Sequence, residues 1–441
     1  MTCTRLKAGA AVEVITPQYS QFLYGYPYVE RMSTGVHDDL TSSALYLSDG
    51  KVQVLFLSDE LIYLSKESVA NIREGISAKT GIPSSNIFVA TTHTHSGPLT
   101  LDIVMSRRDK VVPPVDKAYV KYVEENTVKA GCRAFENAQD AEIAFLTGDA
   151  TGVGTNRHDI NGPKDMQVPT MLVRNLKHEY IGCMLVCSMH PTALHEDSKL
   201  VTGDFPHFTR AKLQQDVLGA GCPVVYYTGT CGNQSPRHVT KANNFSEAQR
   251  LGEIVASSII ARMDGGLVFS DGLEIKAASE CLSLPKRKFP SLAAAQKHRD
   301  EAKALFETRK KSTTATPQEV RTAEVDWFGS EEALLLSELA EKGELDVVYD
   351  TCLPAEVLMV KVGGWKFVGW PGEVFVEFGL SLKSQIKDIS LITYANGELQ
   401  GYVVTQEAHE KGFYEAGNSF FDPEAGYLML EATKRLVEKL S

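Results

Sequence analysis

Apolar residues follow two rhythms along this chain. In some stretches they run unbroken for a few positions, and in others they return every third or fourth residue. The unbroken runs "KVQVLFLSDE" (51–60), "NIFVATTH" (86–93), "YIGCMLVCSMH" (180–190) and "CPVVYYTGT" (222–230) read as buried strands. The helical rhythm marks "SKESVANIREGISAKTG" (65–81), with Ser65 placed to cap its start and Gly81 just past its end. It also marks "KAYVKYVEENTVKAGCRAFENA" (117–138) and "FSEAQRLGEIVASSIIARM" (245–263). Residues 356–370 predict two strands joined by a Gly-Gly hairpin. "PGEVFVEFGLSLKSQI" starts a helix, "SLITYANGELQGYV" adds a strand region, and "LMLEATKRLVEKL" closes the chain as an amphipathic helix. Between 286 and 345 the composition shifts. "LAAAQKHRDEAKALFETRKK" and "GSEEALLLSELAEKG" are charged, rich in Ala and Leu, and joined by the polar "STTATP", which predicts a helical insertion. The order of elements predicts an α/β fold with central mixed β-sheets flanked by α-helices.

Composition narrows the class without naming a function. The chain has 441 residues, of which 43% are hydrophobic and 23% charged, enough for a large core in an ordinary globular protein. Its net charge of −11 is spread along the sequence and offers no basic face, which argues against a nucleic-acid partner. No run of about 18 apolar residues predicts a membrane span. The start, "MTCTRLKAGAAVEVITP", lacks the apolar core of a secretory leader. The eight cysteines include no Cys-x-x-Cys pair, and Cys183 and Cys187 sit within a predicted buried strand. Reduced thiols and a cytoplasmic location are the expectation.

Rare reactive residues collect where the apolar runs end. His93 and His95 follow the run 86–93, in "ATTHTHSGP", and His190 follows the run at 180–189. Ser235 lies in "GTCGNQSPRH", Glu373 in "PGE", and Tyr402 in "GELQGYVV". In α/β sheets, ligands bind beyond the carboxyl ends of strands, so these junctions predict one shared site. Residues two apart in a strand face the same way, so His93 and His95 are expected to address one point together with Thr91. Two such imidazoles, a third from His190 and a carboxylate from Glu373 make a donor set suited to a catalytic Zn2+.

Each motif also has a plain structural reading. His190 before Pro191 can simply hydrogen-bond at a strand end. "PGE" can be a strand break and a helix start, with Glu373 near the positive helix terminus. Ser235 can cap a helix, and "GNQSP" is not the Gly-x-Ser-x-Gly elbow of a serine hydrolase. The joint occurrence of these motifs at strand ends favours the site.

The same motifs resemble a known family. "ITP" followed by "YGYPY", "SDEL", "THTHSGP", "TNRH", "HPTAL" with "TGDFP", "GNQSP", "PGE" and "GYVVTQEAHEKGFYEAG" are similar to the neutral/alkaline, non-lysosomal ceramidases, from near the N-terminus to residue 417. The resemblance implies a single catalytic domain over 1–441 that carries the insertion at 286–345 and ends before the family's immunoglobulin-like domain. It implies zinc ligands at His93, His190, Glu373 and Tyr402, with His95 beside the reacting carbonyl. It places Arg157 near the substrate, Tyr414 in the active site, and Ser235 as nucleophile or beside the metal-bound water. The implied reaction is hydrolysis of an N-acyl amide bond, with His95 and Tyr414 as donors to an oxyanion. The serine loop departs from the family's Gly-Asp-x-Ser-Pro-Asn, carrying Asn233 and Arg237 instead, which makes both substrate-binding candidates. Arg157 and Arg237 together favour an anionic substrate. The alternatives are a zinc hydrolase of a small soluble ester, lactone or glycoside, and a metal- or carbohydrate-binding protein without turnover. The expected partner is a small molecule or N-acyl amine.

Overall fold

The computed structural model describes residues 5–441. Residues 1–4, which belong to the stretch read for a leader and include Cys3, lie outside the described residues.

Two β-sheets form the centre. The larger has eight strands in the spatial order Val224–Thr228, Tyr180–Cys187, Gln167–Asn175, Gln139–Asp149, Lys7–Val14, Thr41–Ser48, Gln53–Asp59 and Ile87–Thr91. Parallel pairs occur only at its two edges, and the middle is antiparallel. The second sheet has the order Ile275–Leu282, Ala355–Val362, Trp365–Gly369 and Ile389–Ile392. The predicted α/β class with mixed sheets is what the chain adopts.

Period-two alternation assigns each strand residue to a layer. In Thr41–Ser48, Leu45 and Leu47 enter a core shared with the second sheet, beside Phe56, Phe88, Tyr227, Phe367 and Ile392. Ala44 and Tyr46, between and beside them, enter the core under the helices Lys66–Thr80 and Lys117–Glu136. On the same side, the helices Phe205–Leu213 and Phe245–Met263 pack over the strands Tyr180–Cys187 and Val224–Thr228. The helices Val376–Gln385 and Glu424–Lys439 cover the far face of the second sheet. The layers are therefore helices, sheet, sheet, helices.

Local signals explain the element ends. Ser65 accepts a hydrogen bond from the Ser68 amide at the start of Lys66–Thr80, and Gly81 closes that helix at φ 75°. The expected Gly-Gly hairpin turns at Gly363 and Gly364, between Ala355–Val362 and Trp365–Gly369. Between the neighbouring strands Ile275–Leu282 and Ala355–Val362 the chain leaves the sheet and forms the helices Leu292–Lys311, Pro317–Glu341 and Asp346–Cys352. Thr316 and Glu319 start the second of these with a reciprocal capping box. No helix among the described residues is long and apolar enough to cross a membrane.

The carboxyl ends of strands from both sheets meet. The Thr228 hydroxyl donates to the Thr92 carbonyl at 2.7 Å, and the Thr393 amide donates to the Thr228 carbonyl at 2.9 Å. These bonds tie Ile87–Thr91, Val224–Thr228 and Ile389–Ile392 together at one end of the molecule.

Candidate metal centre

Three imidazoles converge at that junction. His93 Nε2 lies 3.0 Å from His190 Nε2 and 3.1 Å from His95 Nε2. The Glu373 Oε2 atom is 3.5 Å from both His93 Nε2 and His190 Nε2. His93, His190 and Glu373 are buried, with exposures of 0%, 1% and 4%.

The convergence of His93 and His95 arises in a different way from the one expected. The strand stops at Thr91, and His93 takes a left-handed backbone at φ 64°. A turn, not strand alternation, aims the two rings inward. Thr91 does not join them, because its hydroxyl donates to the Ile62 carbonyl at 3.0 Å. Stacking against Tyr394, with centroids 3.9 Å apart, fixes the His93 ring plane. Gly25 makes room for His95: an added Cβ would lie 2.5 Å from His95 Nδ1, and its φ of 126° suits glycine alone.

The outer nitrogens settle the tautomers. His93 Nδ1 lies 3.1 Å from the Ile62 carbonyl, His95 Nδ1 3.0 Å from the Gly25 carbonyl, and His190 Nδ1 2.9 Å from the Cys231 carbonyl. A carbonyl only accepts, so each Nδ1 carries the proton and donates. Burial, reinforced by the neighbouring His93, holds His95 and His190 well below the usual histidine range, so both are neutral at pH 7. The Nε2 lone pairs therefore point at one another. This arrangement differs from the expected role of His95 as an oxyanion donor, since its inward atom is an acceptor.

Glu373 adds charge to this cluster. The Tyr63 hydroxyl donates to Oε1 at 2.6 Å, while Oε2, the atom facing the imidazoles, is buried without a hydrogen-bond partner. Three acceptor nitrogens and an orphaned carboxylate oxygen at contact distance repel one another unless a cation lies between them. Neutral nitrogen and carboxylate oxygen are donors that suit zinc. The backbone carbonyls behind the rings supply the outer hydrogen bonds typical of metal-binding histidines. The residues present thus fit a metal ion, with His93, His95 and His190 as a group able to hold one.

The other expected residues gather beside this group. Glu373 does not start a helix; it lies in a two-residue strand whose parallel partner places Tyr402 directly opposite. The Tyr402 and Tyr414 rings meet edge to face at 6.0 Å, and the Arg157 guanidinium lies over both. Burial raises both phenols, and Arg157, pulling the other way, does not bring either into the neutral range. Arg157 itself pairs with Glu415 at 3.1 Å and donates to the Gly232 carbonyl. Ser235 is buried on a short strand paired to Thr155–Asn156, and its hydroxyl accepts from the Arg237 amide at 3.4 Å. No histidine hydrogen-bonds to Ser235 among the described residues. Asn233 turns away from the imidazoles: its amide donates to Glu377 at 2.9 Å and its carbonyl accepts from the Val376 amide.

A cavity of about 150 Å³ opens onto this set. Its walls include Tyr63, Arg157, Ser235, Arg237, Glu373, Tyr402 and Tyr414. Its roof is one face of the helix Pro317–Glu341, which contributes Arg321, Val325, Phe328, Gly329 and Glu332. Tyr63, Glu415 and this roof were not singled out in the sequence. Tyr63 carried a signal like that of the histidines, since it lies four residues past the buried strand Gln53–Asp59.

No family model matches the chain. Its fold matches the solved neutral ceramidase from Pseudomonas aeruginosa with a TM-score of 0.75 at 17% identity, over 99% of this chain and 75% of that one. A ceramidase complexed with C2 matches with a TM-score of 0.73 at 16% identity, over 97% and 74% of the two chains. At these identities the likeness is one of fold.

Proposed function

We propose that this chain is a zinc-dependent hydrolase that cleaves an N-acyl amide bond. The observation that carries the reading is the meeting of three Nε2 lone pairs with the unpartnered Glu373 Oε2. His93, His190 and Glu373 would hold the metal, with Tyr402, opposite Glu373, and His95 as further donors. Bound there, zinc supplies a Lewis acid and makes water acidic enough to attack a carbonyl near neutral pH.

The protein groups then have separable tasks. Tyr63 fixes the Glu373 carboxylate so that one oxygen faces the imidazoles and the other is occupied. Tyr414 keeps its proton at neutral pH because it is buried, and donates to the oxygen that gains charge as the carbonyl is attacked. Arg157, anchored by Glu415, holds the two tyrosine rings and adds positive potential at the same place. Ser235 lines the cavity and hydrogen-bonds the attacking water or the substrate. A nucleophilic Ser235 is disfavoured because no base holds its proton. The fold shared with neutral ceramidases supports the amide as the target, and the small cavity supports a short acyl amine over a two-chain lipid.

The test is turnover of a substrate panel by chelator-stripped and zinc-reloaded protein. The panel holds short N-acyl amines, a ceramide dispersion, an ester, a lactone and a glycoside. Zinc-restored hydrolysis of the N-acyl amines is expected. Amide turnover that survives complete zinc removal, or zinc-dependent turnover confined to the ester, lactone or glycoside, overturns the reading.

A further inference from the structure

Three guanidinium groups line the cavity above the imidazoles, and two of them already have a carboxylate partner. Arg157 pairs with Glu415. Arg321 pairs with Glu196 at 3.0 Å and Glu324 at 2.8 Å. Arg237 is different. Its side chain makes no ion pair and no hydrogen bond with any described residue, although it lines the cavity and is half-buried. Burial lowers its pKa; Tyr414 and Glu415 act against this, and Arg157 and Arg321 act with it. A guanidinium withdrawn from water without a counter-charge is costly, and the cost disappears when an anion arrives.

Glu415 and Asp326 act on Arg237 only through their charge, without an ion pair or hydrogen bond to its side chain, and the acids lining the cavity are engaged elsewhere. Glu373 faces the imidazoles. Glu332, on the roof, is bound by the Asn418 amide, and burial pushes its carboxyl up to about 8, so it is uncharged at neutral pH. Arg237 stands two residues beyond Ser235, on the one-turn helix Pro236–His238, so it and Ser235 share a wall. The roof helix bounds the space above, in a cavity of about 150 Å³.

We infer that Arg237 selects for a substrate bearing a carboxylate, which its guanidinium grips through two parallel hydrogen bonds, so that the substrate is a small anionic N-acyl amine. This rests on the proposed amide hydrolysis. A planar fork of donors matches a carboxylate in geometry and charge. Arg157, held by Glu415, takes no part in the selection.

The experiment compares N-acetylglycine with N-acetylglycinamide on the zinc-loaded protein, and succinate with succinamide as binding probes by calorimetry. A charge-assisted pair in a partly dry site gives a preference of about tenfold or more in kcat/KM for the anion, expressed mainly in KM. R237Q is expected to bring that ratio close to one, and R237K to keep part of it. Melting temperature and zinc content identify variants that remain folded and loaded. A ratio near one in the unaltered protein, or a ratio unchanged in folded R237Q, overturns the inference while leaving amide hydrolysis in place. Succinate binding that R237Q abolishes, with no hydrolysis of either amide, supports the anion site and overturns the proposed reaction. Neither hydrolysis nor Arg237-dependent succinate binding overturns both.

Discussion

Removing the metal should leave a folded protein whose melting temperature reports zinc directly. The Nε2 atoms lie 3.0 and 3.1 Å apart beside an unpartnered Glu373 oxygen, so ion binding to the native state adds to stability. A ligand that binds only the folded state at 100 times its Kd contributes about 2.7 kcal/mol. Unfolding entropy near 60 °C is about 2.1 cal/mol/K per residue, or about 0.9 kcal/mol/K for 441 residues. The expected rise in Tm is therefore about 3 °C at that excess. It is read by scanning fluorimetry or calorimetry on chelator-stripped protein titrated with zinc. H190A and E373Q should each lose the shift at the same zinc concentration, whatever their own starting Tm. Y402F should keep part of it, because the nitrogen donors remain. A Tm indifferent to zinc, or an equal shift in H190A, refutes the reasoning.

Two further predictions concern groups away from the metal. Asp59 is fully buried, which pushes its carboxyl up to about 7 although Thr127 donates to it. The folded state then keeps a proton that the unfolded chain loses near pH 4, so stability falls as pH rises between about 4 and 7, by up to about 1.4 kcal/mol per pH unit. D59N should flatten that slope in denaturant melts, and an unchanged slope counts against the assignment. A Cβ at Gly329 would lie 2.9 Å from the Tyr414 Cβ, so G329A should cost about 1–3 kcal/mol and slow turnover, by chemical denaturation and steady-state kinetics; an unaltered rate refutes the close packing of roof and tyrosine.

Much of this arrangement was legible in the chain because period and capping are local. Ser65 and Gly81 bound their helix as read, and Cys183 and Cys187 are buried in their strand. Strand-end logic singled out His93, His190, Glu373 and Tyr402 before any coordinates, since each follows an apolar run. Less visible were strands such as Lys7–Val14 and Gln139–Asp149, whose small or charged residues blur the apolar run. The turn at His93 was misread as strand because φ of 64° at a non-glycine residue has no sequence signature. Glu415 matters only through a partner distant in sequence, Arg157, and no local rule reveals such a pair. Asn233, a substrate-binding candidate in the sequence, also joins its loop to the start of the helix Val376–Gln385, a link no local pattern shows.

The roof of the cavity is supplied by chain that departs between two adjoining antiparallel strands, Ile275–Leu282 and Ala355–Val362, and returns to the same ladder. The histidines and Glu373 come from elsewhere, at the ends of other strands. The metal-binding candidates and the cover above them are therefore encoded in separate stretches of the polypeptide. A change of length or charge in the covering helices would reshape the mouth of the cavity and leave the imidazoles where they are.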